Sequence, residues 1–150
     1  MYLCREILPR VWERRPQTKL YLVGKTPPPA IQQLANERII VTGFVPDIRD
    51  AIAQATVVVM PLRVGAGTKH RIYQSLSMAK AVVTTAVGAE GMALQTGVHA
   101  VVTDDPAAFA AEVVRLLEDP ARRRQLGTAG REFVVTHHDW RANYEKLEQV

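Results

Sequence analysis

Five short, continuously apolar runs, each followed by a stretch with helical spacing, restrict what this chain can fold into more than any other feature. They are Lys19 to Gly24 (KLYLVG), Arg38 to Thr42 (RIIVT), Ala55 to Met60 (ATVVVM), Ala81 to Thr84 (AVVT) and Ala100 to Thr103 (AVVT). Runs rich in Val and Ile without in-out alternation mark strands covered on both faces. The intervening segments read as helices. Residues 1 to 15 place Leu3, Ile7, Leu8, Val11 and Trp12 on one stripe, and Pro27 to Asn36 is a second helix entered through three prolines that suit a loop or first turn. Asp47 caps a third helix to about Gln54, and Thr68 to Met78 form a fourth with Ile72 and Leu76 on its buried face. Asp104-Asp105-Pro106 announces a helix over Ala107 to Leu117, Asp119-Pro120 another to about Val135, and a last one follows Asp139. Strands alternating with helices mean βαβ units and a parallel sheet with right-handed crossovers. The expected fold is therefore α/β and doubly wound, a single domain over residues 1–150. A helix opens the sequence where such a domain opens on a central strand, so a first strand is expected upstream of it.

Composition narrows the function classes. With 150 residues, 47% hydrophobic and 6% aromatic, the chain can build one core, and neither disorder nor a disulfide scaffold fits. No apolar run approaches the roughly 20 residues that span a bilayer. Cys4 is the only cysteine, which excludes an internal disulfide and a thiolate zinc cluster, and suggests a reducing cytosol. The net charge of +4 has an address: no carboxylate lies between Asp50 and Glu90, while Arg63, Lys69, Arg71 and Lys80 all do. An anionic ligand near that window is one reading, and a chance distribution is the other.

In a parallel sheet ligands sit beyond the carboxyl ends of the strands, here the loops after Gly24, Thr42, Met60 and Thr84. The loop Pro61-Leu-Arg-Val-Gly-Ala-Gly-Thr-Lys69 follows the most apolar strand and precedes a helix. Gly65 and Gly67 around Ala66 allow close backbone approach, Thr68 can cap, Arg63 and Lys69 supply charge, and free amides at the helix start favour an anion such as phosphate. A tight turn without ligand is the plain alternative. The spacing matches neither a dinucleotide fingerprint nor a Walker loop. His137, His138 and Asp139 read as surface residues before a helix, Trp140 as a packing anchor, and Arg122 to Arg124 as a solvated helix face without the interleaved aromatics of a nucleic-acid stripe. Asp104 and Asp105 read as a cap rather than a carboxylate pair, and Cys4 as core.

The run GAGTKHRIYQSLSMAKAVVTT (65 to 85) followed by VGAEGM (87 to 92) resembles the donor-binding segment of GT-B glycosyltransferases of the retaining, family-four (group 1) type. KLYLVGKTPPP, RIIVTGFVPDIRDAIAQATVVVMPLR, DDPAAFAAEVVRLLEDPARRRQLGTAGREFV and HHDW extend the resemblance over nearly the whole chain. It implies the Rossmann-like, carboxy-terminal half of a two-domain enzyme that takes a sugar from a nucleotide-diphosphate donor and passes it, with retention, to a glycan or lipid-linked acceptor held by an amino-terminal domain. Phe44 and Val45 would lie beside the nucleobase, and Gly65 to His70 would hold diphosphate and sugar. Gln74 stands where the family usually has a glutamate for the ribose, and Ala66 where many members have the first glutamate of that pair. The family needs no metal or other cofactor in this site. The resemblance implies a cytoplasmic enzyme with peripheral association at the inner face of the membrane in full-length form, and no nucleic-acid partner. Gln74, Ala79 and Ala81 depart from the family's glutamate, glycine and proline, which leaves open a degenerate binding subunit, or a GT-B-fold nucleotide-sugar epimerase. The chain alone is expected to bind nucleotide weakly and catalyse nothing.

Overall fold

A computed structural model of the chain describes residues 1–65 and 69–137. The five expected strands are present as β1 (Leu20–Val23), β2 (Ile39–Gly43), β3 (Val58–Met60), β4 (Val82–Thr84) and β5 (Val101–Val102). All pair in parallel, but in two pieces: β1 with β2, and β3-β4-β5 in that order. The parallel sheet expected from the sequence is thus present as a pair and a triplet, with no pairing between β1 and β3.

A π-helical turn, Leu3–Ile7, leads into α1 (Leu8–Arg14) where one continuous helix was expected. Pro9 lies in the first turn of α1 and has no amide to donate, so the regular ladder restarts there. The segment after the prolines yields only α2 (Pro29–Gln32), because the Asn36 side chain accepts the Arg38 and Ile39 amides at 2.8 and 2.9 Å and turns the chain into β2. Then come α3 (Ile48–Gln54), α4 (His70–Ser77), α5 (Ala86–Ala89), α6 (Pro106–Glu118) and α7 (Pro120–His137). The short α5 has no counterpart in the sequence reading, since one turn carries no periodicity. The expected last helix lies outside the described residues. None of the described helices is long and apolar enough to cross a membrane.

The caps read from the sequence are real. Asp47 accepts the Arg49 amide at 2.8 Å, Asp105 the Ala108 amide at 2.7 Å, and Asp119 the Arg122 amide at 2.8 Å. Asp104 does something else: its carboxylate reaches the Ala86 amide at the start of α5, at 2.8 Å. Beneath α1 and α6, Ile7, Val11, Val83, Val101, Phe109, Val113 and Leu126 form one apolar cluster, while Ile72, Leu76, Val82, Met92 and Phe133 form a second on α4 and α7. Cys4 packs partly buried on a third, around Leu8, Leu20 and Ile39, and that burial raises its thiol pKa.

The end of α4 explains a residue that stood out in the sequence. The Lys80 amide donates to Ser75 O (3.0 Å) and the Ala79 amide to Leu76 O (2.8 Å), the paired bonds that close a helix with a left-handed residue. Ala79 holds that conformation at φ 54°. A side chain there costs ~1–2 kcal/mol that glycine avoids, against ~0.5–1 kcal/mol for glycine's extra freedom when unfolded. Ala79→Gly is accordingly expected to stabilise the chain by about 0.5–1 kcal/mol in denaturant unfolding; a loss of stability would contradict this account of the turn.

Arg122 to Arg124 are not simply a solvated face. Arg122 donates to Gly97 O at 2.5 Å, Arg123 to Leu116 O and Leu117 O at 2.6 and 3.0 Å, and Arg131 on the same helix to Ser77 O. Three arginines of α7 thereby satisfy carbonyls at the ends of α6 and α4 and in the turn before β5.

Candidate functional site

The loops at the carboxyl ends of β2, β3 and β4 build the candidate site. After β2 the chain turns at Gly43, whose φ of 69° suits glycine, and presents Phe44 with 66% of its surface exposed and Val45 partly buried. Asp47 follows, held below the usual carboxylate range by hydrogen bonds from Arg49. After β3 the chain carries Leu62 and Val64 outward, 37% and 86% exposed, with Arg63 between them. Apolar side chains this exposed on adjacent loops call for a ligand or a surface to cover them.

The β3–α4 loop is fastened from β4 and from its own far end. Thr84 Oγ1 donates to Met60 O at 2.9 Å, and Thr85 Oγ1 donates to Leu62 O while accepting the Gly88 amide at 3.2 Å. Both threonines are buried. Sequence reasoning passed over them; a Thr pair ending an otherwise apolar strand was the available signal. Lys69 Nζ donates to Gly65 O at 2.9 Å; Ala66, Gly67 and Thr68 lie outside the described residues. Arg63 is exposed and stands over the Tyr2 ring, 5.0 Å from its centroid.

Helix α4 starts at His70, not Thr68, with Lys69 in the cap position. Its N-terminus carries no side-chain cap and no acid in the first turn, whereas α3, α5 and α6 are capped by Asp47, Thr85 and Asp105. The Ile72 and Tyr73 amides both reach Lys69 O, at 2.9 and 3.2 Å. Among the described residues no backbone carbonyl accepts from the preceding His70 and Arg71 amides, so the positive end of the helix lies next in sequence to the glycine loop. Burial raises the Tyr73 pKa on the inner side of this helix. Gln74, one turn on, is partly buried, and its Oε1 accepts from Arg71 at 2.9 Å. A ribose hydroxyl at Gln74 would share that oxygen with Arg71 or displace it.

The structure therefore brings Gly65, Lys69, His70 and Gln74 along one loop and helix, with Arg63 just before them. No hydrogen bond or ring contact among the described residues joins Phe44 or Val45 to this group; they share only the carboxyl edge of the sheet. The acid-free window is not all one site. Lys80 precedes β4 at the opposite edge, where its Nζ donates to Ala55 O at 3.0 Å and also to Ala53 O, closing α3. Glu90, exposed, ends α5.

A model of glycosyl transferases group 1 matches residues 1–119. The chain belongs to the group 1 glycosyl transferases. Its fold is that of the carboxy-terminal, Rossmann-like half of GT-B enzymes, as solved structures show. The C-terminal domain of a group 1 glycosyl transferase, LpcC from Francisella tularensis, superposes with a TM-score of 0.73 at 17% identity, over 87% of this chain and 74% of that one. Alr3699/HepE from Anabaena, solved with UDP-glucose, gives 0.79 at 17% identity over 96% of this chain and 44% of that one. Sucrose-phosphate synthase from Thermosynechococcus elongatus gives 0.79 at 24% identity over 96% and 40%. This glycosyl transferase chain thus spans less than half the length of the last two. No curated protein matches it significantly.

Proposed function

We propose that this domain binds the nucleotide-diphosphate sugar of a glycosyl transfer reaction, with the diphosphate at the start of α4. The observation that carries this reading is the acid-free N-terminus of α4, with no side-chain cap at Lys69 and with Lys69 Nζ bonded to Gly65 O. Amides at a helix start with a lysine beside them are suited to an anion, and they are arranged before it arrives. Exposed Phe44 and partly buried Val45 suit a nucleobase on the neighbouring loop. That Alr3699/HepE was solved with UDP-glucose supports a nucleotide-sugar donor.

In the transfer itself the bond between sugar and diphosphate breaks and charge grows on the departing phosphate. The His70 and Arg71 amides, Lys69 and Arg63 would stabilise that charge. Retention of configuration, a glycan or lipid-linked acceptor, a cytoplasmic location and an amino-terminal partner domain complete the proposal. Within it this chain supplies donor binding, no metal takes part, and turnover needs the acceptor side.

Lys69→Ala is expected to weaken UDP or whichever nucleoside diphosphate binds about tenfold in calorimetric titration, as loss of a charge-assisted bond would. Binding of the corresponding nucleoside should stay unchanged. Equal weakening of both would remove Lys69 from the phosphates.

A further inference from the structure

At the amino ends of β3 and β4, the end of the sheet away from the start of α4, the surface opens into a cavity of about 520 Å³. Its walls come from the end of α3, the turn between α4 and β4, and the start of α7. Lys80, Arg123 and Arg124 line it together with Gln54 and Thr56, and no carboxylate does. Glu118 and Asp119, next in sequence to α7, turn elsewhere: Glu118 lies 3.9 Å from Arg15, and Asp119 accepts the Arg122 amide.

Two of the three cations are fixed in place by helix ends. Lys80 Nζ donates to Ala55 O at 3.0 Å and to Ala53 O, and Arg123 Nη1 donates to Leu116 O and Leu117 O at 2.6 and 3.0 Å. These bonds orient the side chains without exhausting them. Lys80 keeps a third N–H, and Nε and Nη2 of Arg123 have no partner among the described residues. Arg124 and the side chains of Gln54 and Thr56 make no hydrogen bond or ion pair among those residues at all. The walls are also locked to one another, since α7 approaches the α4–β4 turn so closely at Gly127 that a Cβ there would stand 2.1 Å from Ala79 O. Such a cavity is formed before a ligand arrives.

We propose that this cavity is a binding site for a small phosphate monoester, separate from the donor site at the start of α4. The ends of α3 and α6 each present about half a negative charge, which leaves the three cations with an excess of about two. The end of α4 and the start of α7 offset each other. A phosphate monoester carries about −1.5 to −2 at neutral pH and matches that excess, whereas a carboxylate or a phosphodiester brings about one charge. The guanidinium forks of Arg123 and Arg124 suit phosphate oxygens, and Thr56 and Gln54 supply neutral donors beside them. The volume is that of a small-molecule pocket. The site stands on these residues alone, whatever binds at α4.

Amide NMR of the chain, titrated with glycerol phosphate at constant ionic strength, tests this residue by residue. Shifts at Thr56, Ala81 and Arg124 are expected to saturate together, with a Kd of roughly 1 mM or below. Arg124→Gln breaks no bond among the described residues, so it should fold normally and weaken binding about tenfold, while Lys69→Ala should leave it unchanged. Dimethyl phosphate, a monoanion, should bind about tenfold more weakly than the monoester. Shifts that fail to saturate would overturn the proposal, and so would shifts that gather at Lys69 to Arg71 instead, which belong to the start of α4. Equal affinity for dimethyl phosphate would remove the charge match and the proposal with it. Binding to phosphatidate-containing vesicles without any response to soluble glycerol phosphate would overturn it in favour of a lipid surface.

Discussion

Gly127→Ala is expected to destabilise the chain by about 3 kcal/mol, because the new methyl has nowhere to go. A Cβ at Gly127 would stand 2.1 Å from Ala79 O and 2.8 Å from Ala79 C, both backbone atoms. No rotamer change relieves a clash with backbone; α7 must move off the α4–β4 turn, which is already held by two hydrogen bonds and a left-handed alanine. A methyl at Gly130 would meet His99 O at 2.7 Å, so the same helix is pinned a second time, against the turn before β5. For a domain whose net stability is of order 5–15 kcal/mol, the loss is a large share. Gly24→Ala is the control: nothing lies within 4 Å of its Cβ position, and its effect should stay within about 0.5 kcal/mol. Urea unfolding of both variants checks this, and equal effects would mean that α7 does not rely on close approach.

Phe109→Ala is expected to cost about 4 kcal/mol, the upper range for emptying an aromatic site in a core. Phe109 is 1% exposed and belongs to the cluster that joins α1, α6, α7 and the β4-β5 pair. Its amide closes the first turn of α6 on Asp105 O at 2.8 Å, so its backbone is fixed and the surroundings cannot collapse into the hole. Val64→Ala removes two methyl groups from a loop residue that is 86% exposed, and should leave stability unchanged. If Val64→Ala instead destabilised the domain, Val64 would be covered in solution.

The sequence was most informative where one local signal decides the outcome. Apolar runs located all five strands, and Asp47, Asp105 and Asp119 stood where caps are needed. It was least informative where the outcome depends on a partner distant in sequence. Lys80 looked like part of the anion window, but its target is the end of α3, 25 residues earlier. Arg122 and Arg123 looked solvated, yet they satisfy carbonyls on other elements. Gln74 was read as a ribose ligand from its place in the family pattern, and the structure adds that Arg71 already uses its oxygen. Thr84 and Thr85 escaped notice because a Thr pair closing an apolar run reads as an ordinary strand end until the fold sets the two under the β3–α4 loop. The split between β1 and β3 could not be read from the runs themselves, since pairing partners are not written in a strand's composition.

Calorimetric titration of the chain with UDP, GDP and ADP tests the central claim most directly. A donor site at the start of α4 predicts that at least one of them binds, at roughly 0.1–1 mM, and binds more tightly than its own nucleoside. No heat from any of the three at millimolar concentration, with the protein folded, would contradict it.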